Sequence, residues 1–239
     1  KYATFIATMI YYMNGSEISN ILNKIKQNYY FRSGKEKIRT LILDTIYGEK
    51  YNLSDYEMSE DEEKYVAYHE AGHALAYINF YGIKTLREVS IYPTEKALGF
   101  ISFNFEQANI TKDDLKQRVI INLAGRYAEK LITNNLSTGA SSDLSSANKM
   151  INRYLKTYGM GGIENYSSNE EQISDYMKTK LDKEHENLLK EFSKETEKFI
   201  ENNKDVIEIL AKDLVKDKVL IDVFDKYEKL LKKDINEKE

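Results

Sequence analysis

His69-Glu70-Ala71-Gly72-His73, running on into Ala74-Leu75-Ala76, is the stretch on which the fold turns. It is an instance of His-Glu-x-x-His. On a helix the two histidines stand one turn apart and project from the same face. Imidazoles placed this way can share one zinc ion at Zn–N distances of about 2.0–2.1 Å. Glu70 lies one step round the helix, too near to be a third ligand and well placed to take a proton from a metal-activated water. The chain holds 3 histidines, and two of them fall in this motif. The plainer reading is a buried helix with two core histidines and an incidental glutamate. Both readings place the helix in the interior, because Val66, Ala67, Ala71, Ala74, Leu75 and Ile78 are apolar. Gly72 costs a mid-helix position about 1 kcal/mol relative to alanine. That cost makes sense where another backbone passes close or a metal site needs room.

Working outward, Ser59-Glu60-Asp61-Glu62 has the form of a capping box, and its acidic residues suit the positive end of a helix dipole. The spacing predicts a helix from there to about Tyr81, stopped by Gly82. Residues 86–92 and 98–105 read as two short strands with Pro93-Thr94-Glu95-Lys96 between them. A small antiparallel sheet is expected, whose open edge either accepts an extended peptide or simply covers the helix. Thr111-Lys112-Asp113-Asp114 opens a second long helix, which carries Glu129. Ser137-Thr138-Gly139-Ala140-Ser141-Ser142-Asp143-Leu144 leads into a third, with Asp143 in its first turn. Gly159-Met160-Gly161-Gly162 ends that helix and starts a loop to about Asn169. A long charged helix over about 173–202 follows, then a shorter one over about 206–215 and a last one over about 217–231, with a Lys/Glu-rich tail after Leu231. His185 lies on a charged face and is expected to be solvated rather than a ligand.

Upstream, residues 1–31 read as helical with a break at Asn14-Gly15-Ser16, where Ser16 is the expected cap of the second piece. Arg32-Ser33-Gly34 reads as a turn, and 35–47 as a helix ended by Gly48. The organisation expected is a helical unit over residues 1–48, a linker over 49–58 and a second domain over 59–239. The fold class expected is mainly α-helical with a small antiparallel β-hairpin or sheet.

The 239 residues, 41% apolar and 31% charged, suffice for one or two cored domains. A net charge of −4 and a pI near 5.6 argue against nucleic acid as the main partner. There is no cysteine, so any zinc must be held by histidine and carboxylate alone. No apolar run reaches the roughly 18 residues that span a membrane. Lys1 stands first, so the chain is expected to be a fragment or a processed product.

A catalytic zinc takes three protein ligands and leaves a fourth position for water. With both motif histidines used, the third ligand must be Asp or Glu. The chain has 39 of these, and spacing alone does not choose among them.

Other residues carry a resemblance. Tyr68-His69-Glu70-Ala71-Gly72-His73-Ala74-Leu75 resembles the signature of the FtsH family of membrane-anchored AAA+ metalloproteases. Ala97-Leu98-Gly99, Leu123-Ala124-Gly125-Arg126 with Ala128-Glu129, Thr138-Gly139-Ala140-Ser141-Ser142-Asp143-Leu144 and Tyr158-Gly159-Met160 follow in the family's order and spacing. Gly15-Ser16-Glu17-Ile18-Ser19-Asn20-Ile21-Leu22-Asn23 is similar to a helix of the small lid subdomain of the family's ATPase. Leu43-Asp44-Thr45-Ile46-Tyr47-Gly48 is similar to the end of that subdomain. The match covers about residues 5–160, and beyond 170 it rests on helical character.

The resemblance implies a zincin-type active-site helix in a helical peptidase domain, preceded by a lid remnant over 1–48. It implies that His69, His73 and Asp143 bind one zinc per chain, that Glu70 is the general base, and that Glu129 orients a ligand histidine. It further implies hydrolysis of unfolded or membrane-extracted polypeptide, a six-fold ring of identical chains, and a parent at the cytoplasmic face of a bacterial or organellar membrane, with this piece itself soluble. The membrane would be reached only through upstream segments. ATP would enter only through an ATPase domain, because these residues contain no Gly-x-x-x-x-Gly-Lys-Ser/Thr loop. Asn14, Ser16 and Lys24 depart from the family's lid pattern. Two alternatives stand beside this reading. One is a catalytically silent oligomerisation or regulatory module that keeps the fold. The other is an unrelated zincin with a glutamate ligand such as Glu129.

Overall fold

A computed structural model describes residues 2–10, 13–31, 38–53, 55–104, 110–134, 137–161, 174–221 and 224–236. In chain order its elements are α1 (Tyr2–Met9), α2 (Gly15–Phe31), α3 (Ile38–Tyr51), α4 (Glu60–Tyr81), β1 (Leu86–Ser90), β2 (Phe100–Phe103), α5 (Lys112–Thr133), α6 (Ser141–Asn152), α7 (Asp175–Asn202), α8 (Lys204–Asp217), β3 (Val219–Ile221) and α9 (Asp225–Asn236). A π-helical turn, Arg153–Thr157, continues α6. The fold is mainly helical with a small antiparallel sheet, as the sequence leads one to expect. The turn expected at Arg32-Ser33-Gly34 lies outside the described residues, as does the loop beyond Gly161.

The motif helix forms where its cap predicts. The Ser59 hydroxyl accepts the Glu62 N–H, and the Glu62 carboxylate accepts the Ser59 N–H at 2.9 Å. Gly82, at φ 71, takes the positive-φ conformation that ends α4 and donates its N–H to the Ile78 carbonyl. Residues 70–78 are buried without a break. A helix buried on every side must have partners on every side. They are chiefly α5 and α8, with α9 and the sheet completing the cage. A core of Ala67, Ala71, Leu75, Ile78, Val89, Ile207, Leu210, Leu214 and Tyr227 fills the space between them. On the far side of α5, a second core joins it to α6 and α7 through Leu115, Leu123, Ile151 and Phe192.

Gly72 supplies the closest approach. A β-carbon there would stand 2.6 Å from the Ala124 carbonyl oxygen and 2.6 Å from the Ala128 β-carbon. The mid-helix glycine is thus what lets the α5 backbone press onto α4.

The sheet has the order β2-β1-β3, antiparallel throughout. Val89 sits opposite Ile101 on one side and Leu220 on the other. The sequence reading puts Val219-Leu220-Ile221 inside the last helix. Instead Lys218, at φ 61, breaks the chain after α8, and the three residues form β3. Three residues are too few to display alternation, and only the pairing partner β1 makes them a strand.

Two smaller differences are local. Asn14 caps α2 in place of Ser16: its side-chain oxygen accepts the N–H groups of Ser16 and Glu17, and Glu17 accepts the N–H of Asn14. Helix α3 runs past Gly48 to Tyr51, and Asn52 at φ 55 closes it. Tertiary contacts hold the extra turn, with Lys50 donating to the Met9 carbonyl at 3.0 Å and the Tyr51 ring tilted against that of Phe100.

The N-terminal helices share a third core with the sheet. Met9, Ile21, Ile42, Ile46 and Tyr47 pack with Val219 of β3, and Phe100 of β2 lies against them. Arg39 donates to the Val219 carbonyl at 2.6 Å while its guanidinium covers the Phe5 ring at 4.3 Å. Among the described residues no helix is long and apolar enough to cross a membrane.

Candidate metal centre

Three atoms converge at the crossing of α4, α5 and α6. His69 Nε2 and His73 Nε2 are 2.9 Å apart. Asp143 Oδ2 lies 3.1 Å from the first and 3.4 Å from the second. Asp143 comes from the first turn of α6, where the Ser137–Ala140 turn delivers it.

The outer nitrogens show which tautomer these rings hold. His73 Nδ1 faces the Ile121 carbonyl at 2.6 Å, and a carbonyl only accepts, so Nδ1 carries the proton. His69 Nδ1 faces Glu129 Oε1 at 2.6 Å in the same sense. A neutral ring with its proton on Nδ1 turns the Nε2 lone pair inward, beside a carboxylate oxygen, where either a second proton or a metal ion can sit. Three electron-pair donors this close repel unless a cation lies among them. Ligand bonds of about 2.0–2.1 Å at tetrahedral angles separate donor atoms by about 3.3 Å, and these three edges lie near that value. The donor set therefore fits a divalent ion such as zinc. Among the described residues, His69, His73 and Asp143 form a group able to hold a metal.

The electrostatics agree. Burial opposes a charge on His69, but hydrogen bonds to Asp143 and Glu129 and the nearby Glu70 carboxylate outweigh it and raise its pKa to about 10. Asp143 is pushed the other way, well below the usual carboxylate range: the hydrogen bonds to His69 and His73 overcome the cost of its burial. The pocket thus stabilises positive charge at its middle. Glu129 is 5% exposed, yet the hydrogen bonds from His69 and Ser137 outweigh its burial and hold it below the ordinary glutamate value.

Glu70 is also 5% exposed, and burial raises its pKa. The Gly99 backbone covers it so closely that a β-carbon would lie 2.8 Å from both Glu70 Cγ and Glu70 Oε1. Gly125 does the same for the histidines, where a β-carbon would stand 2.4 Å from His73 Nε2.

The sequence reading named His69, Glu70, His73, Glu129 and Asp143, and the structure brings all five together. It did not find the Ile121 carbonyl, since every residue has one. It gave Gly125 no role, although a second mid-helix glycine carries the same signal as Gly72. His185 is half-buried rather than solvated, with Nε2 at 2.7 Å from Asn148 Oδ1.

A helix with two imidazoles one turn apart, facing a carboxylate from another helix, is the arrangement found in metal-dependent hydrolases of the His-Glu-x-x-His class. The profile described as Peptidase family M41 matches residues 56–223, and the chain belongs to that family. Similar proteins include the ATP-dependent zinc metalloprotease FtsH of Karelsulcia muelleri, 32% identical over an alignment of 233 positions that covers 90% of this chain and 37% of that protein. The protein of the same name from Caldicellulosiruptor bescii is 27% identical over 84% of this chain and 36% of its own length. The ATP-dependent zinc metalloprotease FTSH 11, chloroplastic/mitochondrial, of Arabidopsis thaliana is 30% identical over 66% of this chain and 20% of its own length. The chain thus spans little more than a third of the first two relatives, at 37% and 36% of their lengths.

Proposed function

We propose that this chain is the zinc endopeptidase portion of a longer ATP-dependent protease and hydrolyses peptide bonds of unfolded polypeptides. The observation that carries the reading is the convergence of His69 Nε2, His73 Nε2 and Asp143 Oδ2 beside a buried glutamate. Those three atoms are the ligands in this reading. When bound, zinc supplies Lewis acidity, lowering the pKa of a water molecule and polarising a carbonyl.

The protein's own groups do the rest. Ile121 and Glu129 accept the Nδ1 protons and so keep both Nε2 lone pairs facing the site. Glu70 is the general base. Its raised proton affinity suits it to take a proton from the attacking water and return it to the leaving amine nitrogen. Among the described residues strand β2 is terminal in the sheet, and its outer edge is the place for an extended substrate to form main-chain hydrogen bonds. The ring of six chains and the ATP-driven delivery of substrate are assigned to the longer protein.

Glu70→Gln tests the reading. It keeps the shape of the side chain and removes the base. Hydrolysis of unfolded casein is expected to fall by about 10²–10⁴-fold, with about one zinc per chain retained. Metal-free protein after chelator-free purification, or full activity in Glu70→Gln, overturns it.

A further inference from the structure

Glu70 is confined by the backbone at Gly99, and the next residue in the chain, Phe100, sets its ring against aromatic side chains of helix α3. The Gly99 β-carbon position lies 2.8 Å from Glu70 Oε1 and 2.7 Å from Val66 Cγ1, so the glycine is pressed directly onto the active-site helix. The next residue, Phe100, begins β2. Its ring lies 5.1 Å from the Tyr51 ring and 6.2 Å from the Tyr47 ring. Tyr47 is fully buried and meets Tyr51 edge-to-face at 5.3 Å and Tyr92 in a tilted pair at 5.0 Å. Its hydroxyl donates to the buried carboxylate of Glu88 on β1, the strand that backs β2. The chain just after α3 grips the loop before Gly99 as well. Leu53 forms a bridge with Thr94, Glu95 donates its N–H to the Asn52 carbonyl at 3.1 Å, and the Asn52 amide donates to the Glu95 carboxylate.

We propose that Tyr47 and Tyr51 of α3 are positioning residues for the general base: through Phe100 they hold the Gly99–Phe100 backbone against Glu70. The inference rests on the peptidase reading above for its kinetic consequence, though the contact chain is independent of it. It extends the working site beyond the profile match, which begins at residue 56, whereas α3 ends at Tyr51. Aromatic pairs of this kind contribute through geometry as well as buried area. A segment wedged between such a cluster and α4 has little freedom to shift. Removing the wedge lets the cover over Glu70 relax, and a general base displaced by a fraction of an ångström transfers protons less well.

The test uses the full 239-residue chain loaded with zinc. Tyr51→Leu removes the ring that meets Phe100, Tyr51→Phe keeps it, and Tyr29→Leu alters an exposed aromatic on α2. With an internally quenched peptide, Tyr51→Leu is expected to lower kcat about tenfold at unchanged zinc stoichiometry. Tyr51→Phe is expected to restore kcat, and Tyr29→Leu to match the unmodified chain. Hydrogen exchange at the amides of residues 99–103 is expected to quicken in Tyr51→Leu alone. A fall in zinc content and melting temperature in proportion to kcat marks a merely structural role and overturns the proposal. So does unchanged exchange at 99–103. If the unmodified chain cleaves no peptide, the peptidase reading fails by itself, and the exchange comparison decides this proposal.

Discussion

A β-carbon on Gly125 would stand 2.4 Å from His73 Nε2 and 2.8 Å from His69 Cε1, so the two rings rest on bare backbone. Helix α5 thereby acts as the floor of the site. Gly125→Ala sets two effects against each other. Alanine favours a helix interior by about 1 kcal/mol, but overpacking a filled site costs about 1–3 kcal/mol. The rings must yield, because the added methyl has fixed backbone behind it. The expected outcome is a folded protein with unchanged helical circular dichroism and at least a tenfold loss of zinc affinity. Competition against a chromophoric chelator measures it, and wild-type affinity in Gly125→Ala shows that the rings have room to spare.

Glu129 and Asp143 approach His69 from opposite ends. Glu129 Oε1 meets Nδ1 and Asp143 Oδ2 meets Nε2. An atom on the Nδ1 side cannot share a metal with Nε2 of the same ring. Glu129→Gln keeps an acceptor and removes only its charge, so zinc affinity is expected to drop about 10–100-fold. Asp143→Ala removes a donor atom and is expected to drop it much further. Zinc titration of the two variants side by side gives the order. An equal or larger loss in Glu129→Gln reverses the two assignments.

The parts of this fold that the sequence declared are those with local causes. The α4 helix is announced by Ser59 and Glu62, and α5 by Thr111 and Asp114, because a cap is made by residues three apart. The two histidines share a face because helical geometry puts them there. What stayed hidden has distant causes. Strand β3 exists because β1 lies beside it, and α3 outlasts Gly48 because Met9 and Phe100 hold its last turn. Asp143 occupies an intermediate position. Nothing in its own turn distinguishes it from the other carboxylates, and only a resemblance across several motifs singled it out. Its closeness to the rings comes from the way α5 and α6 pack, which no spacing along the chain records.

Glu88 carries a pH dependence of its own. It is 5% exposed on β1, where burial raises its pKa above the ordinary value near 4.5, against the opposing pull of the Tyr47 hydroxyl and Lys50. The folded state therefore holds this proton more tightly than the unfolded chain does. Stability from this group is complete below about pH 4.5 and is lost as pH rises through the raised folded value, because the unfolded chain releases the proton first. Glu88→Gln keeps an acceptor for Tyr47 and has nothing to titrate. Melting temperatures of the two proteins, taken from pH 4.5 to pH 8, are expected to diverge: the unmodified chain loses ground to Glu88→Gln as pH rises. All other titrating groups are common to both and cancel in the difference. Parallel curves would mean that Tyr47 and Lys50 together neutralise the cost of burial and leave Glu88 charged in the folded state at no penalty.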